Sequence, residues 1–179
     1  MKSICPALFM MILLLSACNS NGPSSRVDPA SRVKIAMHSF SDTATKDTFK
    51  LVLAGDKPKD MVFTFTIRPA DSRPIYTKVI LAKDLLGNYG NELDLDKTKK
   101  QIKFLNDEMQ LFFQEENFLD PAVTENETPD KNTPDQTFFN ELKRSGVAGF
   151  QYRLGKESKV YIAWSATSKS VKPYYNCCH

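Results

Sequence analysis

Alternation dominates the first half of the chain. Val33, Ile35 and Met37 alternate with Lys34, Ala36 and His38, the period-two pattern of a strand with one buried face. The pattern places Val33, Ile35 and Met37 inside and makes His38 a surface or rim residue. After a polar loop over 41–47, Phe49, Leu51 and Leu53 alternate with Lys50 and Val52. Turn residues over 54–60, Gly55 and Pro58 among them, lead into a β-rich run over 61–68, and the two runs predict an antiparallel hairpin. Pro69 to Pro74 turns the chain again, and 75–81 adds a third strand, giving a meander.

The period then lengthens. Residues 82–86 predict a short helical turn. Over 98–116, Ile102, Leu105, Met109, Phe112 and Phe113 share one helical face, with Asp94 or Asp96 as its cap. Residues 120–135 hold Pro121, Pro129, Pro134 and a run of acids, and read as a long exposed loop. Thr133-Pro134-Asp135-Gln136 predicts a helix start capped by Thr133, with Phe138, Phe139 and Leu142 as the buried face and Gly146 as the stop. Phe150, Tyr152 and Leu154 alternate before Gly155-Lys156-Glu157-Ser158, and Val160, Ile162 and Trp164 after it, a second hairpin. The predicted architecture is one α+β domain over 33–166, mainly an antiparallel sheet covered on one face by two helices. Residues 167–179 read as a basic–aromatic C-terminal tail.

The residues ahead of the alternation have another texture. Lys2 precedes an apolar run from Ala7 to Leu15, and Leu15-Ser16-Ala17-Cys18 is followed at once by polar Asn19-Ser20-Asn21. One positive charge, a short apolar stretch and a small-residue ending form the layout of a secretory signal. The apolar stretch is too short to cross a hydrocarbon core of about 30 Å. The ending Leu-small-small-Cys resembles the lipobox of bacterial lipoprotein precursors. That resemblance covers residues 1–18 and implies removal of 1–17 as a signal peptide, a diacylglycerol on the Cys18 thiol, and acylation (such as palmitate) of its new amine. It implies a body tied to the lipid bilayer through acylated Cys18, with 18–32 as a flexible tether rich in Gly, Pro and Ser. Asn19 rather than Asp after the lipid cysteine favours, by the rule known for enterobacteria, the periplasmic face of the outer membrane.

Charge changes the picture in one respect. The formal net charge is +3 over 179 residues, too balanced to imply nucleic acid, and export argues the same way. The distribution is uneven: residues 107–141 carry ten acids and one lysine, whereas 142–179 carry seven basic residues and one acid. Two readings stay open. The two surfaces neutralise each other or are simply solvated faces, or an acidic face docks a basic partner.

Chemistry-bearing motifs are sparse. The chain has no G-x-S-x-G elbow, H-E-x-x-H pair or P-loop. Beyond Cys5 and Cys18, only the adjacent Cys177 and Cys178 remain, so no long-range disulfide within the domain is expected. Cys177-Cys178-His179 offers two thiols and an imidazole to a soft metal, but lacks the spacing that brings two sulfurs to one tetrahedral ion. A disulfide fits an oxidising compartment better; no metal and no cofactor are expected. Tyr174 and Tyr175 stand outside the alternation and are candidates for an exposed contact, sugar stacking being one use. Asn126-Glu127-Thr128 matches the N-glycosylation acceptor pattern. Asp42-Thr43-Ala44 resembles the O-glycosylation site of exported Bacteroidota proteins, which makes Thr43 a candidate acceptor.

These features converge on a non-catalytic binding or accessory module of the bacterial envelope, with an envelope protein as partner. The candidate contacts are Glu115, Glu116, Asp120, Glu125, Glu127, Asp130, Tyr174 and Tyr175, and deleting 122–132 is expected to leave the fold intact. The alternative is a periplasmic inhibitor or immunity-type protein that fills a basic enzyme cleft by charge complementarity. A third reading is a hydrolase of envelope polymers, for which a carboxylate of raised pKa in a cleft would speak.

Overall fold

The computed structural model describes residues 32–70, 72–89 and 94–177. Two antiparallel four-stranded meanders follow one another along the chain. The first joins β1 (Val33–His38), β2 (Asp47–Ala54), β3 (Val62–Arg68) and β4 (Tyr76–Leu81) in sequence order. Helices α1 (Ala82–Asn88) and α2 (Thr98–Leu111) come between the sheets in sequence. The second sheet runs β5 (Phe118–Leu119), β6 (Gly149–Arg153), β7 (Lys159–Ser165) and β8 (Ser170–Cys177), with α3 (Gln136–Ser145) inserted between β5 and β6. The expected single α+β domain is present, but its strands divide between two sheets.

One aromatic core joins those sheets. Inward positions of β2 and β3 supply Phe49, Leu51, Leu53, Phe63, Phe65 and Ile67, all buried. Leu105 and Met109 of α2 enter the same cluster, and so do Phe150, Tyr152 and Ile162 from the second sheet. Phe150 lies 5.3 Å from both Phe49 and Phe65, ring centre to ring centre, and 4.9 Å from Phe118. Offset and edge-on contacts of this kind add to plain area burial. The second sheet is also covered on its other face. There Phe138, Phe139 and Leu142 of α3 pack on Ala163 and Tyr174, with Ala122 and Val123 from the loop before α3. The two longer helices therefore bury their apolar faces in different clusters. In layer order the molecule reads first sheet, aromatic core, second sheet, then α3 with its loop.

Several expectations are corrected by this arrangement. β1 has the predicted period but the opposite face: Ile35 and Met37 are 58% and 55% exposed, while Lys34, Ala36 and His38 point inward. The inward side chains have partners that make this orientation favourable. The Lys34 ammonium donates to the Gln110 carbonyl near the end of α2, a helix terminus whose carbonyls lack intrahelical donors. His38 stacks on Phe118 at 3.5 Å and meets Phe49 edge-on. Neither Asp94 nor Asp96 caps α2: Lys97 occupies that position, and both carboxylates pair with Lys100 instead. The α3 cap is Asp135, not Thr133; its carboxylate accepts the Phe138 N–H at 2.9 Å. Gly146 ends α3 in the left-handed region, φ 62°. The stretch expected as a tail beyond 166 forms β8, and Tyr174 is part of the core.

Candidate functional site

The acidic loop and the aromatic end of the chain meet. Residues 120–135 do not drape freely over the surface. Ala122 and Val123 are buried, the Ala122 N–H donates to the Val147 carbonyl at 2.7 Å, and the Tyr174 hydroxyl donates to the Ala122 carbonyl at 2.8 Å. At the far end, the Asn176 N–H donates to the Asn132 carbonyl at 3.0 Å. Gly149 makes the close approach feasible, because a Cβ there would lie 2.8 Å from that of Ala122 and 3.1 Å from the Tyr174 oxygen. Removal of 122–132 would therefore strip buried residues from the second core, which corrects the expectation that this segment is dispensable.

Between the loop and β7–β8 lies a hollow of about 360 Å³. Glu127 and Asp130 stand on its loop side, and Tyr161, Tyr174 and Tyr175 on its sheet side. Neutral donors hold both carboxylates. Glu127 accepts from the Thr124 N–H at 2.5 Å and its hydroxyl at 2.9 Å. Asp130 accepts from the Asn132 N–H at 2.8 Å and the Tyr175 hydroxyl at 3.1 Å. These bonds fix the oxygens without cancelling their charge, and among the described residues no Lys or Arg forms an ion pair with either. Tyr161 meets Tyr175 edge-on at 5.4 Å. Burial first, then the neighbouring Tyr175 and Glu127, push the Tyr161 hydroxyl pKa up, so it stays a neutral donor. Burial does the same for Tyr174.

The opposed charge runs of the sequence are partly neutralised beside this hollow. Lys172 pairs with Asp135 at 2.8 Å and lies 4.8 Å from the Phe138 ring centre. That ammonium holds the Asp135 carboxyl below its ordinary range, with the Phe138 N–H assisting. The Lys143 ammonium donates to the Glu127 carbonyl at 2.8 Å, on the main chain and not the carboxylate. Of the acids in that run, Glu127 and Asp130 line the hollow.

The other candidate residues do not join it. Glu115 and Glu116 sit on an exposed turn before β5, and Glu125 is exposed on the loop. Asp120 lines a separate hollow of about 300 Å³ together with Thr43, which lies on the exposed 41–46 loop. Cys177 ends β8 and is disulfide-bonded. Cys178 and His179 lie outside the described residues, as do Cys18 and residues 1–31, which hold the expected signal peptide and nearly all of the expected tether. Among the described residues no three His, Cys, Asp or Glu side chains gather as metal ligands, and no helix is long and apolar enough to cross a membrane. The sequence reading missed Tyr161, Thr124 and Phe139 as lining residues. A signal for Tyr161 existed: it is the aromatic on the opposite parity to Ile162 and Trp164, and so faces the α3 side.

Among the described residues one carboxylate has a raised pKa, Glu108 on α2. Burial raises it, opposed by the neighbouring Tyr89 hydroxyl and Arg153. The hollow it shares with Tyr152 and Arg153 holds about 20 Å³, room for roughly one water. A polymer substrate needs a far larger cleft. No known family model, curated protein or solved structure matches this chain, so the functional reading rests on geometry.

Proposed function

We propose that this chain is a lipid-anchored, non-catalytic binding module of the bacterial envelope, and that its cleft between the 119–130 loop and β7–β8 receives a basic segment of a partner protein. One observation carries the reading: Glu127 and Asp130 are fixed by neutral donors, form no ion pair among the described residues, and face Tyr161 and Tyr175 across a hollow of about 360 Å³. A Lys or Arg side chain entering there gains two carboxylates and the faces of tyrosine rings. Cation–aromatic contact contributes about 0.5–2 kcal/mol, more when desolvated. Because the loop is tied to β8 and to Val147 before any partner arrives, little of the binding energy is lost to ordering it.

The lipobox resemblance at Leu15-Ser16-Ala17-Cys18 supports the same reading, since a lipid anchor there would hold the body among envelope proteins. The inhibitor reading shares this geometry, because a rigid acidic loop is also what fills a basic enzyme cleft. Recovery of partners from solubilised envelope tests both. The tagged full chain is expected to retain one protein near equal stoichiometry, and Glu127→Gln with Asp130→Asn to lose it. Inhibition of the recovered protein would select the inhibitor reading. Identical recovery by both forms would reject the cleft as the contact.

A further inference from the structure

We propose that the outer face of the first sheet lies on the phospholipid surface to which the chain is anchored. The described residues with large apolar side chains left exposed are Val33, Ile35, Met37, Val79 and Leu81, and all five share this one face. Register shows it directly: Val33 pairs with Val52, Val52 with Thr64 and Thr64 with Val79, a row running across all four strands. Elsewhere among the described residues large apolar side chains are buried or half-buried, so the collection of the exposed ones on one face calls for a partner.

Charge and size indicate which partner. The outward strand positions include two cations, Lys50 and Arg68, and no carboxylate. Threonines occupy most of the remainder. Such a face is matched to anionic phospholipid headgroups above an apolar interior. Four strands about 4.8 Å apart and roughly seven residues long give an area on the order of 400 Å². That is about half of the ~800 Å² per partner that a stable dimer buries, which argues against a second copy as the occupant. A patch of this size suits a surface held close by other means.

The tether supplies that proximity. The 13 residues between Cys18 and Arg32 are rich in Gly, Pro and Ser, a composition for which a chain of that length would have a root-mean-square span of roughly 20 Å. It leads into β1, where Ile35 and Met37 are the two most exposed of the set. At that span even a weak surface affinity is satisfied most of the time. The layer order then has a consequence for the cleft. The first sheet and α3 lie on opposite sides of the molecule, so a sheet resting on lipid turns the cleft away from the membrane.

The proposal rests on the lipid-anchor reading, and the test separates the two. The full chain purified from envelope, with Ile35→photoleucine or Val79→photoleucine, is placed in vesicles of phosphatidylethanolamine and phosphatidylglycerol, and irradiated. Intact mass reports acylation of Cys18 independently of the cross-link. The expected result is phospholipid adducts at both sheet positions, at least fivefold above those at Glu125→photoleucine on the cleft side. Lys50→Gln and Arg68→Gln should each lower the yield about fivefold, reflecting the loss of one cation's attraction to an anionic surface. Adducts to a second copy or to another protein, or equal lipid yields at Ile35 and Glu125, would overturn the proposal whether or not Cys18 carries lipid. An unacylated Cys18 with adducts still concentrated at Ile35 and Val79 would sink the anchor reading and leave the sheet contact standing.

Discussion

Replacing Phe150 by alanine tests whether the two sheets share one core. Phe150 is fully buried on β6, and the rings of Phe49, Phe65 and Phe118 lie within 5.3 Å of it. Truncating a buried phenylalanine costs about 3–5 kcal/mol through lost transfer energy and the cavity left behind. The loss of several ring contacts, each worth about 0.5–1.5 kcal/mol and not additive, places this site at the upper end, near 4–5 kcal/mol. A domain of this size has a total stability of roughly 7–20 kcal/mol, so the variant should still fold. With a urea dependence of about 2 kcal/mol per molar, its midpoint should fall by roughly 2 M in one cooperative transition. A loss below about 2 kcal/mol, or separate transitions for the two sheets, would refute the shared core.

Other expectations follow from single contacts. Tyr174→Phe removes the buried donor to the Ala122 carbonyl and should cost about 1–2 kcal/mol in chemical denaturation, with the loop becoming more accessible to protease. Gly149→Ala puts a methyl group into Ala122 and should cost about 1–3 kcal/mol while weakening partner recovery. Asp135→Ala loses both the α3 cap and the Lys172 pair and should lower the melting temperature by a few degrees; Asp135→Asn, which retains a capping oxygen, should lower it less. His38 has its pKa lowered from 6.5 by burial, with Lys46 assisting and Glu115 opposing. The unfolded state therefore takes up the proton first as pH falls. The His38 contribution is complete above about pH 6.5 and is lost between there and its lowered value, a step that His38→Phe should remove from a stability–pH profile.

Much of the framework was legible as period. The alternation over 49–81 and 150–164 reflects pleated strands with one face in the aromatic core, and these became β2–β4 and β6–β7. Period alone does not say which parity faces inward. In β1 the wholly apolar parity (Val33, Ile35, Met37) faces out, and long-range partners hold the mixed parity inward: Gln110 for Lys34 and Phe118 for His38. Two strong local signals were displaced for a similar reason. Thr133 looks like a helix cap, but its hydroxyl accepts the Asp130 N–H at 3.0 Å and closes the loop instead. The β8 strand was obscured because Lys172, Pro173 and two adjacent tyrosines break the alternation, and a register shift opposite Tyr161 and Ile162 accommodates them. Of the candidate contacts, Glu127, Asp130, Tyr174 and Tyr175 are brought together across more than forty positions of sequence. Their convergence depends on β8 returning beside the loop, which composition could not reveal.

Titration of the isotope-labelled full chain in detergent with N-acetyl-arginine methyl ester, read by NMR, tests the cleft most directly. The account predicts millimolar binding with shifts concentrated at Thr124, Glu127, Tyr161 and Tyr175, and their loss in Glu127→Gln with Asp130→Asn. Shifts spread evenly over the exposed acids at Glu115, Glu116 and Glu125 would contradict it. So would an N-acetylglucosamine oligomer producing the cleft shifts where the guanidinium does not.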